Sequence, residues 1–431
     1  MTFQFFLTTN GGLKKINLKI SDPSKNTHFI FRTPFSIDEN DWDPKKERPK
    51  NIYIKKYKRL YEKMNNLKLE LKQYIEKKNE IGKSINQRLL SAKAKQIYAE
   101  GKKEFFESTL LHFMQLYIST KENLICTSTY KRYKVFFNLL QRFEAHMMSR
   151  LRIDEINATF IKDFMIFGKE EQYSENTIYR TIHFVKTILN FAERKGIRTC
   201  VRELEIKREK QNKEIITLNE HELIQIKKTN VPVELQAAKD WLIISCYTGQ
   251  RFSDFMHFST DQLIQIDGRT CISFVQQKTQ KQIILPLHPT VLNILRKNNS
   301  QFPSLMDMKD YNDCIKRIAK IAKLNERVNA KKRFGFRSKN VETEKWNVIS
   351  SHIGRRSFAT NFYGKIPTPL LMEATGHSTE QMFLRYINPV NMENVISLGK
   401  YFDKMYTDRN LSANIMQSSQ SNKHFKIESI K

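Results

Sequence analysis

Three observations predict a multidomain protein that is mainly α-helical with small β-sheets. The chain has 431 residues, more than one ordinary domain needs. Hydrophobic residues make up 40% of it, enough to bury real cores. The apolar period also changes along the chain, from strict alternation near the start to a helical repeat through most of the remainder. These features divide the sequence into four parts. Residues 1–100 form a small sheet, a helix and a basic linker; 105–206 an all-helical domain; 215–406 a mixed α/β domain, mainly helical; and 407–431 a disordered polar tail.

The first fifty residues alternate in short runs, Phe3-Gln4-Phe5, Ile16-Asn17-Leu18-Lys19-Ile20 and His28-Phe29-Ile30-Phe31. Asn10-Gly11-Gly12 and Asp22-Pro23-Ser24 punctuate them as tight turns, which predicts an antiparallel sheet. From Ile52 to Asn79 a helix takes over, with Tyr57, Leu60, Tyr61, Met64, Leu67, Leu71 and Ile75 on one side and a lysine-rich opposite face. Glu80 to Lys103 nearly lacks aromatics and reads as a partly helical linker. Beyond it, Tyr130, Tyr133, Phe137, Leu140 and Phe143 recur at helical spacing, as do Ile178, Ile182, Val185, Leu189 and Ala192. Ser174 or Asn176 can cap the second of these helices and Gly196 can end it. A charged bridge, 207–214, precedes Thr217-Leu218-Asn219-Glu220, which reads as a capping box. One hairpin stands out in the last domain: Cys271–Gln276 against Lys281–Pro286, turning through Gln277–Gln280.

With 74 Lys and Arg against 45 Asp and Glu, the net charge is +29. A positive field of that size draws a polyanion, most simply nucleic acid. Lys55, Lys56 and Arg59 on the first helix, and Lys131, Arg132, Lys134, Arg180 and Lys186 in the helical domain, are the candidate DNA-contact residues, although a basic helix face is commonly just solvated. The five cysteines are scattered with no C-x-x-C pair, which argues against a zinc ribbon or disulfide framework and for reduced thiols in a cytoplasmic protein. The start lacks the pattern of a secretory signal, and no apolar run is long enough to span a membrane.

Four segments of the last domain carry chemistry. In Tyr247-Thr248-Gly249-Gln250-Arg251-Phe252-Ser253-Asp254, Gly249 breaks an apolar helix and Arg251 projects from the junction, where a guanidinium can grip a phosphate in bidentate fashion. The plain alternative is a structural Arg251–Asp254 pair. Lys278 sits on the hairpin turn, where most lysines point to water. His352 and Arg355, three apart, share a helix face and present an imidazole beside a cation. Finally a helix stops at Gly376, His377 comes next, and Tyr386 stands nine residues later on a new helical segment, with polar neighbours Arg385 and Asn388. Each signal alone is weak.

Taken together, their order, spacing and flanking residues resemble the tyrosine recombinase (phage integrase) family. Its signature elements stand here as Thr248-Gly249-Gln250-Arg251 with Asp254, Lys278-Thr279, His352 with Arg355, Thr375-Gly376-His377 and Arg385-Tyr386. The wording from Ser351 to Thr360 looks particularly like integrases of Bacteroidetes mobile elements. The likeness covers residues 105–406 clearly and the first hundred more loosely, as an arm-type DNA-binding module. It implies a SAM-like core-binding fold for the helical domain and a catalytic tyrosine recombinase domain after it. One departure is the basic stretch Asn325–Glu344 before the H-x-x-R helix.

The resemblance implies a catalytic set of Tyr386 as nucleophile, Arg251 and Arg355 as phosphate clamps, His377 as a further donor, His352 as proton acceptor and Lys278 as general acid. Cleavage through a 3′-phosphotyrosine preserves the ester bond energy, so neither ATP nor a cofactor is implied, and side-chain cations stand in for a metal. The implied partners are duplex DNA attachment sites, three further copies in a tetramer on DNA, and a DNA-bending host factor; the implied setting is the bacterial nucleoid. Two rival readings are a type IB topoisomerase and a non-catalytic DNA-binding regulator of the same fold.

Overall fold

The computed structural model describes residues 1–8, 13–22, 27–83, 85–99, 107–206, 215–334 and 337–387, with 399 and 401–403. The charged bridge at 207–214, Asn388 and the tail from 407 lie outside them. The chain divides into two compact units, one of residues 1–210 with 333–338 and one of 211–332 with residues from 339 onward.

The first unit opens with the expected sheet: β1 (Thr2–Leu7), β2 (Leu13–Asp22) and β3 (Thr27–Asp38), antiparallel in the order β1-β2-β3. Phe3 pairs with Ile20 and Phe5 with Leu18, while Leu18 also faces Phe31, so one face is a continuous apolar layer. A short ladder of β4 (Trp42–Asp43) and β5 (Arg48–Pro49) leads into α1 (Lys55–Glu80). Met64, Leu67, Leu71 and Ile75 of α1 bury against the sheet layer. Leu69, on another side of α1, is buried too, at 2% exposure. The amphipathic pattern missed it because α1 also packs on a later helix, α4 (Thr127–Met147).

The tract read as a linker contains α2 (Gln87–Ala99). Its Leu90, Ala94 and Ile97, spaced for one helix face, join the same core, so this part is packed rather than merely connecting. The helical domain comes next, with α3 (Leu110–Lys121), the α4 just given, α5 (Ala158–Glu170) and α6 (Glu175–Glu193). Thr109, Asn157 and Ser174 cap α3, α5 and α6. The core between them is aromatic, with Phe143 edge-on to Phe160 and Phe164. Glu144, buried at 1%, is matched by Arg150 and by the backbone N–H of Leu151. Arg150 also pairs with Glu70 of α1.

In the second unit α7 (Glu220–Lys228) starts two residues later than the sequence suggested. Asn219 with Glu222 makes the capping box, not Thr217 with Glu220. Leu218, just before the cap, is fully buried, and its N–H donates to Ser357 Oγ at 2.8 Å. The hub is α8 (Val233–Thr248), apolar on nearly every side, with Trp241, Leu242 and Ile244 wholly buried. Around it come α9 (Phe252–Phe255), the antiparallel sheet of β6 (Leu263–Ile266), β7 (Arg269–Val275) and β8 (Gln282–Pro286), then α10 (Pro289–Lys297) and α11 (Met308–Ile321). The basic stretch before the H-x-x-R segment is a hairpin, β9 (Arg327–Phe334) with β10 (Arg337–Glu344). Three more helices follow: α12 (Ile353–Phe362), α13 (Thr368–Thr375) and α14 (Glu380–Leu384). No helix among the described residues is long and apolar enough to cross a membrane.

Candidate active site

The four chemical segments converge within the second unit. α8 ends at Gly249, whose φ of +68° is the left-handed conformation glycine adopts without strain. A Cβ there would come within 2.5 Å of the Phe358 ring. The reversal places Arg251 at the N-cap of α9. Its Nη1 donates to Gln276 Oε1 at 3.0 Å and lies 3.9 Å from Asp254 Oδ2. The Arg251–Asp254 pair is therefore loose. Asp254 Oδ1 instead accepts the Gln277 N–H at 3.0 Å, which ties α9 to the end of β7.

Arg355, on the first turn of α12, is completely buried. Nη1 donates to the Gly249 carbonyl at 2.9 Å and Nη2 to the Thr375 carbonyl at 2.7 Å, so the guanidinium bridges two chain reversals. Among the described residues its Nε makes no hydrogen bond. Nη2 also lies 3.0 Å from His377 Nε2, while His377 Nδ1 lies 2.8 Å from Thr375 Oγ1. A guanidinium can only donate, so Nε2 accepts from it and the proton of the neutral ring sits on Nδ1. Both nitrogens of His377 are thus engaged in this arrangement.

Tyr386 lies in a turn after α14 rather than on the helix, held by its N–H to the Phe383 carbonyl at 2.9 Å. It is half-buried, and Arg385 beside it is exposed. Its hydroxyl lies 3.5 Å from Nε2 of His352, the residue that caps α12. The Arg355 guanidinium carbon sits 5.5 Å from the centre of the Tyr386 ring, and the His377 ring 5.0 Å from it. Phe358, Ala359, Leu371, Phe383 and Ile387 form a small separate core beneath. Lys278 stands exposed on the β7–β8 turn, near enough for its charge to act on His352.

Cations crowd the site. Burial, then Arg356, Arg355, Arg251 and Lys278, lower His352 to about 4. Burial, Arg355 and Arg251 push His377 down to about 3. Arg355 itself is lowered to about 10, first by burial and then by Arg251, with Tyr386 pulling the other way. Positive groups gathered this closely without enough negative charge describe a place waiting for an anion. Among the described residues, no group of three or more His, Cys, Asp or Glu side chains is placed to hold a metal.

The eight candidate DNA-contact residues lie in the first unit, on α1, α4 and α6. Lys55, Lys56 and Arg59 are exposed on the first turns of α1. Lys131, Arg132 and Lys134 are exposed on α4, and Arg180 on α6. Lys186 differs. It is half-buried, and its Nζ donates to the Leu204 carbonyl at 3.2 Å, so its helix position turns it toward the chain rather than outward.

Sequence reasoning passed over three site residues. Arg356 is half-buried and acts electrostatically on both His352 and Tyr386. Gln250 and Gln276 are both wholly buried and bonded to each other at 3.0 Å. A signal existed: two glutamines adjoin motif residues, one directly before Arg251 and one two before Lys278. Nothing in the sequence showed that they would be buried.

Comparison with known proteins places the domains of this chain in a family. Residues 109–199 match the phage integrase SAM-like domain and residues 208–392 the phage integrase family. The chain therefore carries the domains of the phage integrase, or tyrosine recombinase, family. Among solved structures it is similar to a Tn1549 transposon integrase in complex with a circular intermediate DNA, at 15% identity and a TM-score of 0.51, over 68% of this chain and 100% of that one. Weaker likenesses are to a lambda integrase dimer bound to a core site (15% identity, TM-score 0.45, 89% of this chain and 94% of that one) and to the XerH recombinase bound to its difH substrate (15%, 0.45, 78% and 95%). No curated protein matches the chain in sequence.

Proposed function

We propose that the protein is a site-specific DNA recombinase that cleaves and rejoins duplex DNA through a 3′-phosphotyrosine on Tyr386, in the integration or excision of a mobile element. The observation that carries this reading is the cluster of cations around half-buried Tyr386, with Arg355, His352 and His377 all shifted against their charged forms. A scissile phosphate would supply the missing negative charge. Its arrival would raise both histidines and let Arg355 exchange its contact with His377 for a phosphate oxygen.

In the reaction Tyr386 Oη attacks phosphorus, the bond to the 5′-oxygen breaks, and the tyrosine becomes esterified to the 3′-phosphate. A phenol gives up its proton reluctantly at neutral pH, so a base is needed. His352, neutral and 3.5 Å away, takes that proton. Arg251 and Arg355 stabilise the charge that builds on the non-bridging oxygens. His377, once Arg355 has turned to the phosphate, donates to the same oxygens when protonated. Lys278 gives its proton to the departing 5′-oxygen. The reverse steps, with a 5′-hydroxyl from another duplex, reseal the strand.

The modular reading belongs to the same proposal: residues 1–100 bind arm-type sites, 105–206 the core site, and 215–406 carry the chemistry. Solved lambda integrase assemblies include a tetramer bound to a Holliday junction. Exchange between two duplexes implies a tetramer here too. The discriminating experiment mixes two differently labelled duplexes bearing the element's end sequences. Recombinant products are expected. Nicking and resealing without exchange would point to a topoisomerase, and no covalent complex on a nicked suicide duplex would point to a non-catalytic regulator.

A further inference from the structure

We propose that Gln276 is a positioning residue that sets Arg251 and the Lys278 turn together from a single side chain. This rests on the recombinase reading of the site. A glutamine amide offers two acceptor positions and two donor hydrogens. Gln276 uses all four while wholly buried. Oε1 accepts from Arg251 Nη1 at 3.0 Å and from Thr279 Oγ1 at 2.7 Å. Nε2 donates to Gln250 Oε1 at 3.0 Å and to the Thr375 carbonyl at 3.1 Å.

The backbone of the same residue closes the turn that carries Lys278. The Gln276 N–H donates to the Lys281 carbonyl at 2.9 Å, and the Gln276 carbonyl accepts from Gln280 at 2.9 Å. On its far side the network is anchored rather than free. Gln250 Nε2 donates to the Thr248 carbonyl at 2.8 Å and to the Ala374 carbonyl at 2.7 Å. The Thr375 carbonyl that Gln276 meets is the one that Arg355 Nη2 also meets. One amide thereby joins the segments bearing Arg251, Lys278 and His377.

The packing leaves no slack. Gly376 has φ +71°, and a Cβ on it would stand 2.5 Å from Gln276 Oε1. An apolar side chain of the same length at 276 would fill the space and release the four side-chain hydrogen bonds, leaving the two backbone bonds in place. Arg251 would then lose its Gln276 acceptor, and the turn would lose its Thr279 tether. Both cations would remain present but unaimed. Such a defect lowers the rate of cleavage at saturating DNA rather than the affinity for DNA, because positioning contributes chiefly in the transition state.

The test measures single-turnover cleavage by the full chain on nicked suicide DNA and on the same DNA with a 5′-bridging sulfur at the scissile phosphate. A thiolate leaves without a proton, so sulfur cancels any defect in Lys278. Gln276→Met is expected to slow cleavage of ordinary DNA by roughly 10- to 100-fold, below the ~10²–10³ that loss of a direct oxyanion donor costs. Its DNA affinity should stay within about twofold of the wild type, as positioning loss predicts. Sulfur should restore part of the rate, the share that runs through Lys278. In an Arg251→Ala background on sulfur DNA, where both shares are gone, Gln276→Met should cost nothing further. A role confined to general packing would cost the same factor in every background, and that result would overturn the proposal. So would wild-type cleavage by Gln276→Met. Thr279→Val, on an exposed residue, gives a second reading: slowed cleavage on ordinary DNA and wild-type cleavage on sulfur DNA, with an undiminished defect on sulfur counting against the idea. A wild-type chain that forms no covalent complex on either substrate would overturn the recombinase reading itself. A competent wild type with indifferent Gln276 and Thr279 would overturn only the inference.

Discussion

The cations around Tyr386 and the cations on the helices of the first unit are the same residue types kept in opposite ways. Arg355 is completely buried, with its terminal nitrogens fixed on two backbone carbonyls and a histidine. Arg251 is bonded to a buried amide. Lys131, Arg132 and Arg180 stand exposed on helix surfaces, and Lys134 rests over the Tyr130 ring. Burying a guanidinium has a desolvation cost, visible in the lowered pKa of Arg355, and folding has already met it before any substrate arrives. The exposed cations have no such cost and no fixed direction. The first kind suits stabilising one transition state; the second suits a diffuse attraction to a polyanion.

That contrast can be broken most forcefully at Arg355. Arg355→Ala should slow cleavage by about 10³-fold or more, since it removes a clamp aimed at developing charge. It should also lower the stability of the folded chain by about 1–3 kcal/mol, because the Gly249 carbonyl loses its buried donor and the Thr375 carbonyl keeps only Gln276 Nε2. Rapid-quench cleavage and denaturant unfolding measure the two effects. A loss of rate with unchanged stability would separate the chemistry from the scaffold and contradict the picture of a pre-set cation.

Lys278 lies between the two kinds, catalytic by proposal yet exposed. Lys278→Ala should slow cleavage of ordinary DNA by ~10²–10⁴-fold if it acts as general acid, and leave the fold unaffected. On 5′-bridging sulfur DNA the same variant should cleave at a near-wild-type rate. If sulfur rescues Lys281→Ala instead, the neighbouring lysine is the acid.

A smaller effect concerns pH. His352 at about 4 and His377 at about 3 lie below the ordinary 6.5. Between those values the unfolded chain binds more protons than the native one, so acid favours unfolding. Their contribution to stability is complete above about pH 6.5, as ordinary histidine titration requires, and is lost progressively as pH falls toward 4 and then 3. Denaturant unfolding at pH 7.5 and 5 should show the drop, and His352→Gln should shrink it. Equal pH dependence in the variant would mean that His352 is not held neutral.

The smallest effect belongs to the first unit. Arg180→Ala should weaken DNA binding by a few-fold for all sequences alike, and reduce the slope of log K against log salt by about 0.9 if it contacts one phosphate. Lys186→Ala should leave that slope unchanged, since its Nζ is engaged by the Leu204 carbonyl. A reversed order would move the DNA-facing side of α6.

Much of the site was legible because its residues sit in short motifs with fixed spacing. The breaks at Gly249 and Gly376 were readable, since glycine commonly ends a helix in the left-handed conformation. The unread parts depend on tertiary packing. Two overlapping patterns could cap α7, and the reciprocal bonds of Asn219 and Glu222 form the one that is present. Leu69 breaks the single-stripe reading of α1 because that helix packs on two sides. The basic stretch 325–344 carries no turn or alternation strong enough to announce a hairpin, yet pairs as one. Gln276 was invisible for the same reason: its four hydrogen bonds join residues up to 99 positions away.

The central claim is that Tyr386 is the atom-bearing nucleophile, and one measurement addresses it directly. The protein is incubated with a nicked suicide duplex carrying the element's end sequence, the covalent complex is digested, and the DNA-linked peptide is sequenced by mass spectrometry. The account predicts a 3′-phosphate ester on Tyr386, formed equally well in excess EDTA, and no covalent product from a Tyr386→Phe variant that still binds the DNA. A linkage on any other residue, or undiminished covalent product from Tyr386→Phe, would contradict it.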